Sequence, residues 1–93
     1  MINMSVQYGY TPVYTTTTAL KVRTGPGIDY SLQPRDKMTD DGRRHSEGSI
    51  LNSGTRVSIL NIVIDPLNGY VWAKIPSGYI CLVHKNTTYY KGE

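Results

Sequence analysis

The sequence predicts an all-β domain, most simply a small, partly open antiparallel barrel, on three observations. Thr, Ile, Tyr and Val, the β-branched and aromatic types that suit a pleated, half-buried surface, supply 33 of the 93 residues. Strong helix formers are scarce: two Ala, two Glu and two Gln. Nine Gly and five Pro cut the chain into short apolar runs. A helical bundle or coiled coil is excluded. An α/β nucleotide-binding fold, which needs long helices between parallel strands, is disfavoured. A chain of 10.4 kDa holds one domain with a single small core. Barrel closure would remove the strand edges that so short a chain can least tolerate.

Residues 1–12 read as an extended lead-in, because Val6 to Tyr10 is interrupted by Gly9 and stops at Thr11-Pro12. Val13 to Thr18 reads as the first strand. Leu20 and Val22 then alternate with Lys21 and Arg23, which puts both aliphatics on one face. Thr24-Gly25-Pro26-Gly27 stops that run. Residues 33–47 carry one apolar side chain, Met38, and read as an exposed polar loop with little to give the core. Ser49-Ile50-Leu51 resumes extended structure and Asn52-Ser53-Gly54 turns it. Thr55 to Asp65 is the longest strand candidate. Its apolar parity changes between Ile59 and Leu60, the mark of a bulge or sharp bend. Asn68-Gly69 then signals a hairpin into Tyr70 to Ile75. There Val71, Ala73 and Ile75 share one face, and Tyr70, Trp72 and Lys74 the other. Pro76-Ser77-Gly78 turns into Tyr79 to Val83, and residues 86–93 read as a polar tail.

The chemistry-bearing residues argue against catalysis. His45 and His84 lie far apart, and neither has a second ligand at a metal-site spacing. Cys81 and His84, three apart in a regular strand, would point to opposite faces. The lone Cys81 sits in an apolar run and reads as a small buried hydrophobe with no intramolecular disulfide partner. A formal charge of +3, scattered along the chain, gives no basic stripe for nucleic acid. No run approaches the roughly 18 apolar residues of a membrane span, and Met1 to Tyr10 lacks the pattern of a signal peptide. No cofactor is expected.

Four blocks carry a resemblance. Leu20-Lys21-Val22-Arg23-Thr24-Gly25-Pro26, followed by Tyr30, resembles the Leu-x-Val-Arg-x-Gly-Pro signature of bacterial SH3 domains. Gly54-Thr55-Arg56-Val57 is similar to that family's Gly-Thr-x-Val strand. Trp72-Ala73-Lys74-Ile75 and Gly78-Tyr79-Ile80 are similar to its Trp-x-Lys-Val and Gly-Trp-Val blocks. The blocks stand in the family's order between Val13 and Val83. Three features depart from the pattern: residues 33–47 look inserted, Tyr79 replaces a frequent Trp, and two extra residues precede Trp72.

The resemblance implies an SH3-like barrel over residues 13–85. It also implies a non-catalytic module that binds a peptidoglycan stem peptide or cross-bridge. Such modules hold a peptidoglycan hydrolase domain, as in phage endolysins and autolysins, on the Gram-positive wall, singly or as tandem copies. The implied location is the bacterial wall or secreted, with the host cytoplasm before release for a phage protein. The expected ligand-binding residues are Asp29, Tyr30, Tyr70, Trp72, Lys74 and Tyr79, with the aromatics giving flat contact at low entropic cost. Arg23 is expected to hold loop carbonyls rather than ligand, and Tyr8, Tyr10 and Tyr14 to serve strand packing. The competing reading is a protein-interaction module that takes an extended or proline-containing peptide on the same barrel.

Overall fold

The computed structural model describes residues 2–5 and 12–92. The expected lead-in over Val6 to Tyr10, with Tyr8 and Tyr10, lies outside them. The described residues are predominantly β, in eleven short strands: β1 (Ile2–Ser5), β2 (Val13–Thr16), β3 (Leu20–Lys21), β4 (Ser46–Glu47), β5 (Ile50–Leu51), β6 (Arg56–Ser58), β7 (Asn61–Asp65), β8 (Tyr70–Ile75), β9 (Gly78–His84), β10 (Thr87–Thr88) and β11 (Tyr90–Gly92). They form three antiparallel sheets, in the orders β1-β7-β8-β9-β10, β11-β2-β6 and β3-β5-β4. The pairings among the described residues do not close into one barrel.

One core joins the sheets. Leu20 and Val22 from the β3 segment, Leu51, Val57, Ile59, Ala73, Ile75, Ile80 and Leu82 pack as a single buried cluster. The parity break between Ile59 and Leu60 is where the chain passes from one sheet to another. The Ile59 amide donates to Pro12 at 2.8 Å, continuing the β2–β6 pairing, and the next amide, Leu60, donates to Lys74 at 2.8 Å beside β8. Val57 and Ile59 are buried and Leu60 is exposed. The hairpin read at Asn68-Gly69 joins β7 to β8, with Asp65 opposite Tyr70.

Two segments differ from their sequence reading. Residues 33–47 are mostly exposed, but they are folded: a 3-10 turn (Arg35–Lys37), a helical turn α1 (Asp40–Arg44) and β4. Met38 is 3% exposed and belongs to the core. Polar groups do the rest. Thr39 caps α1 by accepting from the Gly42 amide at 2.9 Å, and its own amide donates to Ser77 Oγ at 3.1 Å. Gln33 Nε2 donates to the Ser77 carbonyl at 3.0 Å. A count of apolar residues misses a segment anchored by one methionine and a hydrogen-bonded turn. α1 has Thr39 as its cap, Asp40 and Asp41 in its first turn and Arg43 and Arg44 in its last, the arrangement that suits the helix dipole.

The second is 86–93, read as a polar tail. Thr87–Thr88 pairs with β9, and Tyr90–Gly92 pairs with β2. Tyr89 and Tyr90 pack on the core, and Tyr90 stacks on Tyr14 with ring centroids 4.6 Å apart. That stack gives Tyr14 the packing role expected of it, and it is what makes a strand of an otherwise polar end.

Candidate functional site

The site lies on the face of the five-stranded sheet that points away from the main core. Along β8, Tyr70, Trp72 and Lys74 occupy this face, as the alternation requires. Along β9 the alternation fails. Trp72 pairs with Cys81 and Val71 with Val83, so Leu82 is an extra residue, turned into the core. This bulge re-aims the end of β9 and puts Cys81 and His84 on the same face, as partners of Trp72 and Tyr70. The expectation that they point to opposite faces is therefore corrected. It assumed a regular strand, and the bulge adds the residue that reverses parity.

Three rings then stack in series. Tyr70 lies on His84 with centroids 4.1 Å apart and planes at 6°, and on Trp72 at 5.2 Å and 29°. Facing them is the segment Pro26-Gly27-Ile28-Asp29-Tyr30, and between lies an open trough of about 530 Å³. Asp65, Asn68 and Lys85 finish its far end. Asp65 accepts from the Asn68 side chain at 2.9 Å, and the Lys85 amide donates to the Gly69 carbonyl at 2.6 Å, which ties the two turns together. Lys85 has φ +55, a left-handed conformation uncommon for a residue with a Cβ, at the lip of the trough. A second, shallower cleft of about 240 Å³ shares the rings of Tyr70, Trp72 and His84 and, from the facing segment, Ile28, and is bordered by Lys21, Arg23, Cys81 and Tyr89.

The wall opposite the rings is held by the Leu-x-Val-Arg-x-Gly-Pro block itself. Arg23 Nη1 donates to the Tyr30 carbonyl at 2.8 Å, the loop-holding role expected of it. Its backbone exchanges two hydrogen bonds with Tyr79, at 2.8 and 2.9 Å. Gly25 is buried against the Tyr30 ring, where a Cβ would fall 2.4 Å from two ring carbons. Only glycine lets that ring lie flat over the turn.

Asp29, Tyr30, Tyr70 and Trp72, named from the sequence, line the trough together. Trp72 is only 2% exposed, so the indole is a floor beneath Tyr70 and not the outward docking face the alternation suggested. Tyr30, 46% exposed, and Tyr70 present the accessible aromatic surface. Lys74 and Tyr79 are not brought to the other four. They pair with each other one step further along the hairpin, and neither lines the trough or the second cleft. Sequence reasoning missed Ile28, Asp65, Asn68, His84 and Lys85. A signal for His84 existed. It continues the parity of Ile80 and Leu82, where a polar ring in a core position implies a bulge before it.

Burial pushes the Cys81 thiol up to about 11. A group with that value is a protonated thiol at neutral pH, poor as a nucleophile. At pH 8 the thiolate fraction is about one in a thousand, against about one in ten for a thiol at its ordinary value of 9.0. Alkylation by iodoacetamide should thus run at least about tenfold slower than for an exposed cysteine, since the more basic thiolate recovers part of the hundredfold loss in thiolate fraction. It should still climb about tenfold per pH unit between pH 8 and 10. A rate that levels off near pH 9 would show an ordinary thiol. Among the described residues no three His, Cys, Asp or Glu side chains gather as a metal site, and no helix is long and apolar enough to cross a membrane. Comparison with protein-family models, curated proteins and solved structures finds no match to the chain.

Proposed function

We propose that the chain is a non-catalytic binding module of the bacterial SH3 type. Its trough takes an extended peptide of the cell wall, a peptidoglycan stem peptide or cross-bridge, and so positions a peptidoglycan hydrolase on its substrate. The observation that carries this reading is the trough: a stacked Tyr70–Trp72–His84 ridge facing Tyr30, with charged groups at its rim. Short polar peptides offer little apolar area, so affinity must come from flat ring faces plus a few placed polar groups. The four sequence blocks support the finer assignment. The Gly-Pro block builds one wall, the Trp block the floor, and the Gly-Tyr block secures Arg23 through the Arg23–Tyr79 bridge. Small antiparallel sheets around one core are compatible with an SH3-like barrel.

Co-sedimentation with protease-treated sacculi tests the proposal. The wild-type protein should be retained on protein-free peptidoglycan. Tyr70→Ala, with far-UV circular dichroism checked for folding, should weaken retention by about tenfold or more, the usual loss when an aromatic anchor is truncated. Failure of the folded wild-type protein to sediment would reject the wall as ligand. Retention only on a polypeptide partner would instead identify the protein-interaction module.

A further inference from the structure

The two clefts that share the aromatic ridge carry opposite charge. On one side of Ile28, Tyr70, Trp72 and His84 stand Asp29 and Asp65, offset by Lys85 alone. On the other stand Lys21 and Arg23, with no carboxylate among the lining residues. The positive side is held in place, since Arg23 is fixed by its bond to the Tyr30 carbonyl and by its backbone bridge to Tyr79. A guanidinium carries five N–H groups, so one bond to Tyr30 leaves others for an incoming carboxylate. Asp65 is held likewise by Asn68. A ligand lying across the ridge therefore meets negative charge at one end, flat rings in the middle and positive charge at the other.

Resting on the peptide-binding reading above, we infer that the two clefts are one polar site for a short zwitterionic peptide. Its ammonium end lies over Asp29 and Asp65, and its carboxylate end against Lys21 and Arg23. The rings supply contact that is blind to direction, and the charges supply the direction. Opposite signs at the two ends also penalise the reversed peptide, which would set like charges against each other at both.

The test uses four probes of one length: pentaglycine with both ends free, N-acetylated, C-amidated, and blocked at both ends. Binding is followed by amide chemical shifts of the full chain. Each block should weaken binding by about two- to fivefold, the scale of an exposed ion pair. Acetylation should abolish the shifts around Asp29 and Asp65 while sparing Lys21 and Arg23, and amidation the reverse. Asp29→Asn, at an exposed position outside the Asp65–Asn68 turn, should reduce the sensitivity to acetylation, leaving the share held by Asp65, and keep the full sensitivity to amidation. Lys21→Gln, also exposed, should do the opposite. Equal affinity for all four probes, with shifts at Tyr30 and Tyr70, overturns the polarity and leaves the peptide-binding reading standing. The same holds if both blocks silence the same residues. No shift with any probe overturns the zwitterionic-peptide site, while the wall reading stands or falls with sedimentation on sacculi.

Discussion

Trp72→Ala should lower the stability of the domain by about 3–5 kcal/mol, the range for deleting a buried aromatic. The indole is 2% exposed, pairs with Val63 across β7–β8 and carries Tyr70 on its face. It nevertheless lies outside the main core cluster, so its loss leaves a void under the trough that the core residues are not placed to fill. Domains of this size have about 5–15 kcal/mol in total, so the change takes a large share of it. Urea denaturation followed by far-UV circular dichroism measures it, with Trp72→Phe expected to fall between wild type and alanine. An unchanged midpoint for Trp72→Ala would mean that the ring packs against nothing that matters. In wild type, the same burial should give a blue-shifted Trp emission that moves red on unfolding.

Gly78→Ala should cost about 3–5 kcal/mol and also disable the trough in molecules that remain folded. Gly78 has φ +145, and a Cβ there would lie 2.7 Å from the Arg23 carbonyl oxygen and 2.8 Å from Val22 Cγ1. The first obstacle is backbone, so relief requires the start of β9 to move off Arg23. That movement breaks the two Arg23–Tyr79 backbone bonds, each worth about 1 kcal/mol, and adds about 1–3 kcal/mol of backbone strain. Arg23 in turn holds Tyr30. Amide shifts should therefore spread from residue 78 to Tyr30, and ligand affinity should fall with them. Stability loss without any change at Tyr30 would show that the turn and the trough wall are independent.

Both substitutions act on relationships that local patterning shows unequally. The face of Trp72 is legible from Tyr70-Val71-Trp72-Ala73-Lys74-Ile75, because side chains alternate in any regular strand. Its depth is not legible, since burial there depends on Val63 and the Pro26–Tyr30 segment, which are brought in from elsewhere. The bend at Ile59–Leu60 was readable as a change of parity; that it separates two sheets was not. Residues 33–47 looked empty of core because a composition count cannot weigh Met38 against the hydrogen bonds among Gln33, Thr39 and Ser77.

Alternation, turn chemistry and β-branched content by themselves determined that this chain is all-β and where most of its strands run, while Asp29, Tyr30, Tyr70, Trp72, Lys74 and Tyr79 were put forward together by the resemblance of four sequence blocks. Those properties depend on neighbours a few residues apart. The tertiary structure alone decided that Leu82 bulges and swings His84 onto Tyr70, that Lys74 and Tyr79 fall outside the trough, and that Thr87 to Gly92 belongs to two sheets. Each of these depends on cross-strand register and on contacts between distant segments. A one-residue slip in register exchanges the faces of a strand without leaving a mark on its composition.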